Sequence, residues 1–376
     1  MTGRNIPRHT GISRRTFLGT AASAGAVAGT MTGLATPSLA QAKPTIVKWA
    51  HVYEVSEPYH TEAVWAAGEI KKRTSDKYQV DVFPASQLGN EPQINEALGL
   101  GTVDIIYTGA AFVGGVHKPL SISNAPYIFR NFDHWKAYRA SKLFQGLATG
   151  YGQRTGHSIV ALTYYGERHL TSNKEIKGPD DLKGMKLRVP QAPLYVLFAK
   201  IYGANPTPIA FAEVYLALQQ GTVDGQENPL PTILAKKFYE VQKYIHLTGH
   251  ITESLVTAIG RPMLGKLDAK EKALFGEVLT QAASKATDAI RESEQKLPAE
   301  FEKLGKAVTR NRIRRRLREA VRLLAPVSTR ADHDYVLIAR APALDRAFIE
   351  LTRDLEIAFS RVHRPARVNS RDIAPR

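Results

Sequence analysis

Two side-chain types in this sequence could do chemistry, histidine and arginine, and their spacing limits what that chemistry is. His169, His246 and His250 have neither a nucleophile–base pattern nor a metal-ligand spacing around them. His246 and His250 stand four apart, which on a helix would offer two ligands on one face. Thr248-Gly249 between them argues against a helix there. Cysteine is absent, so disulfides, thiolate metal sites and a cysteine nucleophile are excluded. The sequence therefore points to no enzyme, no cofactor and no metal. The arginines carry more. A guanidinium is planar, stays charged when desolvated, and pairs with both oxygens of a carboxylate or phosphate. Arg168 and Arg188 fall inside long structured-looking stretches. Arg310, Arg312, Arg315 and Arg316 open a run, 310–376, that is dense in arginine and has no lysine.

The elements that must position these residues come next. A chain of 376 residues is long enough for two or three compact units. Its net charge of +16 invites a nucleic-acid reading. Lysine is used freely before residue 307 and vanishes after 310, so two composition regimes meet there. Residues 46–51, 79–83, 103–107 and 158–163 read as strands, and 61–74 as an amphipathic helix burying Val64, Trp65, Gly68 and Ile70. Such alternation predicts α/β units with mostly parallel pairing. Residues 97–104 (ALGLGTVD) are echoed at 217–224 (ALQQGTVD), each a helix end, a glycine cap and a strand start. The echo fits two related lobes with a ligand cleft between them. Residues 267–304 read as two helices broken at Pro298, the proline sitting in the first turn of the second.

The first 42 residues read as an address. Ser13-Arg14-Arg15-Thr16-Phe17-Leu18-Gly19 is a twin-arginine signature, followed by an Ala/Gly-rich stretch and the small-x-small site Ala40-Gln41-Ala42. The mature chain would begin at Lys43, outside the cytoplasmic membrane.

Several long motifs then carry a resemblance. They are Leu182-Lys183-Gly184-Met185-Lys186-Leu187-Arg188-Val189-Pro190, residues 203–219 (GANPTPIAFAEVYLALQ), and Gly221-Thr222-Val223-Asp224-Gly225-Gln226-Glu227-Asn228-Pro229. Phe83-Pro84-Ala85-Ser86-Gln87-Leu88-Gly89 and Arg168-His169-Leu170-Thr171-Ser172-Asn173 belong to the same set. Over about 45–305 the chain resembles the solute-binding proteins of TRAP transporters. The resemblance implies an α/β, two-lobed periplasmic-binding-protein-like clamshell, with lobe I at 43–166 plus about 254–304 and lobe II at 167–253. It implies capture of a small organic acid in the periplasm and hand-over to TRAP membrane subunits. Carried over residue by residue, Arg188 holds the ligand carboxylate, Arg168 supports the same end, Asn228 is a hydrogen-bonding partner, Phe211 packs on the ligand and His51 makes a polar contact. The residues by themselves leave other roles open. Arg168 could pair with an acid such as Glu167, Asn228 could cap the next helix, Phe211 could be core, and His51, like Tyr59 and His60, could be structural. The motifs are closest to the sialic-acid branch, but Thr108-Gly109 stands where that branch has an acidic residue. That leaves C4-dicarboxylates, sugar acids and similar small acids.

From Gly305 the pattern changes. Arg310-Asn311-Arg312, a basic helix with Arg315 and Arg316, a strand at 334–339 and a final amphipathic helix at 342–362 resemble the C-terminal half of the bacterial ribonuclease P protein component. The helix would turn Leu344, Phe348, Leu351, Leu355 and Phe359 inward. This resemblance implies a partial α/β (helix-strand-helix) segment over 305–376 that contacts ribonuclease P RNA or pre-tRNA through Arg310, Asn311, Arg312, Arg315 and Arg316. The physical basis would be guanidinium–phosphate pairing. It also implies a cytoplasmic location, which conflicts with the leader. We read the junction near 305–308 as a gene fusion or an artefact of gene calling or assembly, not an evolved bifunctional protein, with the first lobe losing its usual further strand and terminal helix.

Overall fold

The computed structural model describes residues 43–310 and 346–362. The leader at 1–42, Asn311, Arg312, Arg315, Arg316, Leu344 and the strand expected at 334–339 lie outside the described residues. Among those described, nine strands form one sheet: β1 (Thr45–Ala50), β2 (Tyr78–Phe83), β3 (Ile105–Gly109), β4 (Ser158–Ser172), β5 (Lys186–Val189), β6 (Asn205–Pro208), β7 (Gly225–Pro229), β8 (Tyr244–Ile259) and β9 (Ala307–Arg310). The order is β2-β1-β3-β8-β4-β7-β5-β6, with β9 also paired to β8.

That order is the same pattern met from either end. β1 lies between β2 and β3, parallel to both, and β5 lies between β6 and β7 in the same way. Helices Pro58–Arg73 and Glu91–Leu100 connect the first triplet; Pro193–Ile201 and Val214–Gln219 connect the second. The repeated segment occupies the same place in each. Gly101 and Gly221 close their helices at φ +74° and +70°, a conformation that favours glycine. Asp104 then accepts the backbone N–H of Lys48 on its carboxylate at 2.8 Å and donates its own N–H to the Lys48 carbonyl. Asp224 makes the same two bonds to Lys186, the first also at 2.8 Å. One aspartate per unit thus ties the third strand to the first.

The triplets are joined by the two longest strands. β4 and β8 run antiparallel to each other; β8 also pairs with β3, and β4 with β7. Their mutual register shifts between Tyr164 and Gly166 and again between Arg168 and Leu170. Gly166 has φ +121°, and a Cβ there would lie 2.8 Å from Pro229 Cβ and 2.9 Å from a Glu294 carboxylate oxygen. Both the backbone conformation and the space therefore demand glycine. Glu294 reaches this point from the long helix Ala269–Lys303 and accepts the Glu167 N–H at 2.6 Å and the Tyr164 hydroxyl at 2.8 Å.

Burial pushes the Glu294 carboxyl up to about 7, from an ordinary value of 4.5. The folded state thus holds this proton more tightly than the unfolded chain. The stability it contributes is complete below pH 4.5 and is lost as pH rises through 7. Glu294→Gln keeps the hydrogen-bonding shape without the charge. Relative to that variant, the wild type should lose about 2–3 kcal/mol of stability between pH 5 and pH 8. Denaturant unfolding of both proteins across that range checks this; a difference that stays constant with pH would contradict it.

Several local expectations change. The helix at 269–303 is continuous and contains Pro298, rather than breaking there. The proline removes one backbone bond at a cost of about 3 kcal/mol. Leu297 and Phe301, on either side of it, continue the buried stripe of Phe275, Val278, Leu279, Ala282, Ala286 and Ile290, and each such burial returns about 1.5–3 kcal/mol. Packing therefore overrides the breaker. The first helix begins at Pro58, a favoured first-turn residue, and buries Tyr59, Ala63, Ala66 and Ile70, while Val64 is exposed. A further strand does follow the long helix: β9 pairs in parallel with β8 from Tyr244↔Ala307 to Leu247↔Arg310. In the helix Phe348–Val362, Leu351, Leu355 and Phe359 are buried as expected, but Phe348 is 38% exposed.

Candidate ligand-binding site

Apart from Arg168, which lies in the antiparallel strand β4, the sequence-picked residues fall toward the carboxyl ends of the parallel strands. His51 follows β1, Gly109 ends β3, Arg188 lies in β5, Ile209 and Phe211 follow β6, and Asn228 lies in β7. In α/β sheets this is where ligands are held, because successive connections diverge there and leave a crevice.

Arg188 is 1% exposed. Its Nε and Nη2 both donate to the Ile209 carbonyl, at 3.0 and 2.7 Å, which fixes the plane of the guanidinium. Its Nη1 has no hydrogen-bond partner. Burial lowers the group to about 10, partly countered by Glu91 nearby, so it remains a cation at neutral pH. A buried cationic donor without a partner is costly, and native structures tolerate few of them without a functional reason.

Arg168 is equally buried but fully engaged. Nε binds Glu227, Nη1 binds Glu253, and Nη2 binds the Glu227 carboxylate at 2.7 Å as well as its carbonyl. The Tyr195 ring lies under the guanidinium at 5.1 Å. His250 bonds Glu227 at 3.2 Å from the same side. Burial alone would raise the Glu227 carboxyl, but Arg168 and His250 hold it below the ordinary carboxylate value. Burial leaves Glu253 raised despite Arg168, and Tyr195 and Asn124 also bond it. Arg168 therefore does pair with acids, though with Glu227 and Glu253 rather than Glu167.

Strand alternation sorts the two arginines. Arg188 stands opposite Gln226, and Asn228 lies two residues on, so these three share one face. Arg168 stands opposite Pro229, two residues from Glu227, on the other. Asn228 donates to Gln226 Oε1 at 2.6 Å, and Gln226 donates to Thr171 at 3.1 Å. It does not cap the next helix, which has no side-chain cap. Phe211 is 3% exposed, within the main core, 6.4 Å from the Tyr53 ring and with Lys236 above it. His51 stacks on Tyr53 and is pulled down to about 3 by burial and by His60. It is neutral, and its Nδ1 accepts the Tyr53 N–H at 3.2 Å. The ring proton thus sits on Nε2, facing His60 at 3.3 Å. His246 and His250 are strand residues of β8 with separate partners, Ser172 and Glu227.

Sequence reasoning missed Glu91, Tyr53, Tyr195 and Glu253. No motif marks them; they become visible only when the sheet brings distant segments together. Glu227 was in view as the acid inside Gln226-Glu227-Asn228-Pro229. Alternation along a strand would have shown that it faces away from Asn228.

Comparison with known proteins follows the same outline. The profile of the bacterial extracellular solute-binding protein family 7 matches residues 49–327. The sialic acid-binding periplasmic protein of Vibrio cholerae is 33% identical over 265 residues, 70% of this chain and 83% of that protein. A TRAP periplasmic solute-binding protein from a Polaromonas species, bound to D-erythronate, superposes with a TM-score of 0.69 at 30% identity, covering 85% of this chain and 100% of that one. One from Roseobacter denitrificans, with bound L-galactonate, gives 0.69 at 27% identity over 75% and 96%. A ribonuclease P profile matches 301–363, so the two profiles overlap across 301–327. The chain belongs to the bacterial extracellular solute-binding protein family 7, the periplasmic receptors of TRAP transporters, and carries a ribonuclease P-like segment after its long helix.

Proposed function

We propose that this protein is the receptor that captures a small organic acid for import by a TRAP transporter, with Arg188 as the carboxylate clamp. One observation carries the reading: a fully buried guanidinium, fixed in plane by the Ile209 carbonyl, whose Nη1 has no protein partner. The edge formed by Nη1 and the second hydrogen of Nη2 suits a carboxylate held by two parallel bonds. Asn228 lies on the same face and Phe211 closes the apolar side. Arg168 acts from behind, holding Glu227 and Glu253 in place. The lobes are 43–166 with about 254–304, and 167–253; ligand closes one on the other by favouring the closed state. Export uses the twin-arginine leader.

Calorimetric titration of the mature chain with a panel of C4-dicarboxylates, sugar acids and neutral sugars tests the function. Binding confined to acids is expected; binding of neutral sugars alone would overturn it. Intact mass of the protein from the periplasm tests the export route, with a chain starting at Lys43 as the expected product.

The ribonuclease P profile supports a second reading for the tail alone. Arg310, Asn311, Arg312, Arg315 and Arg316 would then bind structured RNA with a steep salt dependence.

A further inference from the structure

Ala125-Pro126-Tyr127-Ile128 is a tight turn between the short helix Lys118–Asn124 and helix Phe132–Ala140. The Ile128 N–H closes it by donating to the Ala125 carbonyl at 3.4 Å. Proline in second place followed by a left-handed residue is the pattern of a type II turn, whose third place calls for glycine or asparagine. Here that place holds Tyr127, at φ +60°. Among the described residues no other aromatic takes a positive φ. A Cβ in that conformation is strained, and such strain persists only where the surroundings impose it. The turn is locally wrong for its sequence, which is the mark of a residue kept for its side chain.

The bonds that impose the strain run to residues 167–253. The Tyr127 N–H donates to the His250 carbonyl at 2.9 Å, and the Tyr127 hydroxyl meets that of Tyr202 at 3.1 Å. Just before the turn, Asn124 is fully buried. Its amide donates to the Tyr195 hydroxyl at 3.1 Å and to Glu253 at 3.2 Å, and its carbonyl accepts the Ser254 N–H at 2.9 Å. Tyr195 lies in the first turn of helix Pro193–Ile201 and Tyr202 caps its other end. Between them Phe198 stacks on His250 at 4.1 Å and meets the Tyr202 ring edge-on at 5.2 Å, so the three share the helix face turned toward β8. The helix follows β5 through Pro190-Gln191-Ala192, so whatever holds it also bears on the strand that carries Arg188.

On the receptor reading and its two lobes, we propose that residues 124–127 are a strap by which the first lobe holds helix Pro193–Ile201 of the second, with Tyr127 and Tyr202 as its catch. The catch has two opposed parts. The hydroxyl pair favours the closed arrangement, whereas the left-handed backbone of Tyr127 relaxes when the strap lets go. A catch balanced in this way leaves the cleft able to open for an incoming acid and to shut on a bound one.

The test uses the absence of native cysteine. Cysteines placed at the exposed positions Lys142 and Thr222, one in each lobe, take spin labels alone. Pulsed dipolar distances between the labels, in the full-length protein without ligand, give the ratio of open to closed molecules. Tyr202→Phe removes one hydroxyl and should raise that ratio about fivefold. Tyr127→Ala and Tyr127→Gly both lose the catch, but only alanine keeps the strain, so the glycine variant should be about fivefold less open than the alanine variant. Identical distances in Tyr202→Phe and wild type, or in the glycine and alanine variants, would overturn the strap. A lower melting temperature with unchanged distances would overturn it equally, leaving Tyr127 a structural residue. Because the distances are read without ligand, the strap can fail while acids still bind, whereas failure of the whole acid panel would remove the receptor reading on separate grounds.

Discussion

Arg188→Met is expected to abolish capture of organic acids while leaving the unliganded protein no less stable than the wild type. Two consequences of one geometry are involved. In the folded protein Arg188 holds a charge out of water with a carbonyl as its direct partner and one nitrogen without any. Removing such a group relieves a desolvation cost, and a flexible apolar chain of similar length fills the space. In the complex, the same group would supply both bonds to the ligand carboxylate. Losing one partner of a buried, hydrogen-bonded charge pair costs about 2–5 kcal/mol, a weakening of roughly 30-fold to several thousand-fold. Arg188→Ala should show the same loss of affinity. Calorimetry and thermal melting on the same preparations measure both halves. Near-native affinity in Arg188→Met would remove the clamp; a collapse in melting temperature would mean that Arg188 is chiefly structural.

Arg168→Met should do the opposite, damaging the fold first. Glu227 and Glu253 are both nearly inaccessible and share Arg168 as counter-charge. Without it, two carboxylates from β7 and β8 face each other in a buried space. Breaking a buried pair by removing one side costs about 3–5 kcal/mol, because the remaining charge is uncompensated. The loss should shrink in acid, where protonation removes the repulsion. Denaturant unfolding at pH 5 and pH 8 reads this directly, with the larger deficit expected at pH 8. A variant that unfolds like wild type at both pH values would show that Glu227 and Glu253 do not depend on Arg168.

The contrast explains what could be read from the sequence. Arg188 and Asn228 sit in contiguous motifs on short strands, so the resemblance could single them out as candidates. The repeated segments at 97–104 and 217–224 revealed the two-unit plan because each repeats a local geometry, the Gly cap followed by an aspartate clasp on the neighbouring strand. The partners of Arg168 were not legible, since Glu253 lies 85 positions away and meets it only through the pairing of β4 with β8. Pro298 misled for a related reason: its local cost is visible in sequence, whereas the burial of Leu297 and Phe301 that offsets it is set by the fold.

β9 has a consequence for how such a chain can arise. It joins β8 through main-chain pairing, and it lies in the stretch that both family profiles claim. Peptide groups carry no record of which side chains they bear, so an open sheet margin accepts almost any extended segment of suitable length. A receptor whose last structural requirement is a short strand at such a margin can exchange its terminus for unrelated coding sequence without first evolving a new core. Fusion at this position needs only four residues able to lie flat against β8, with Val308 turned toward the existing apolar interior.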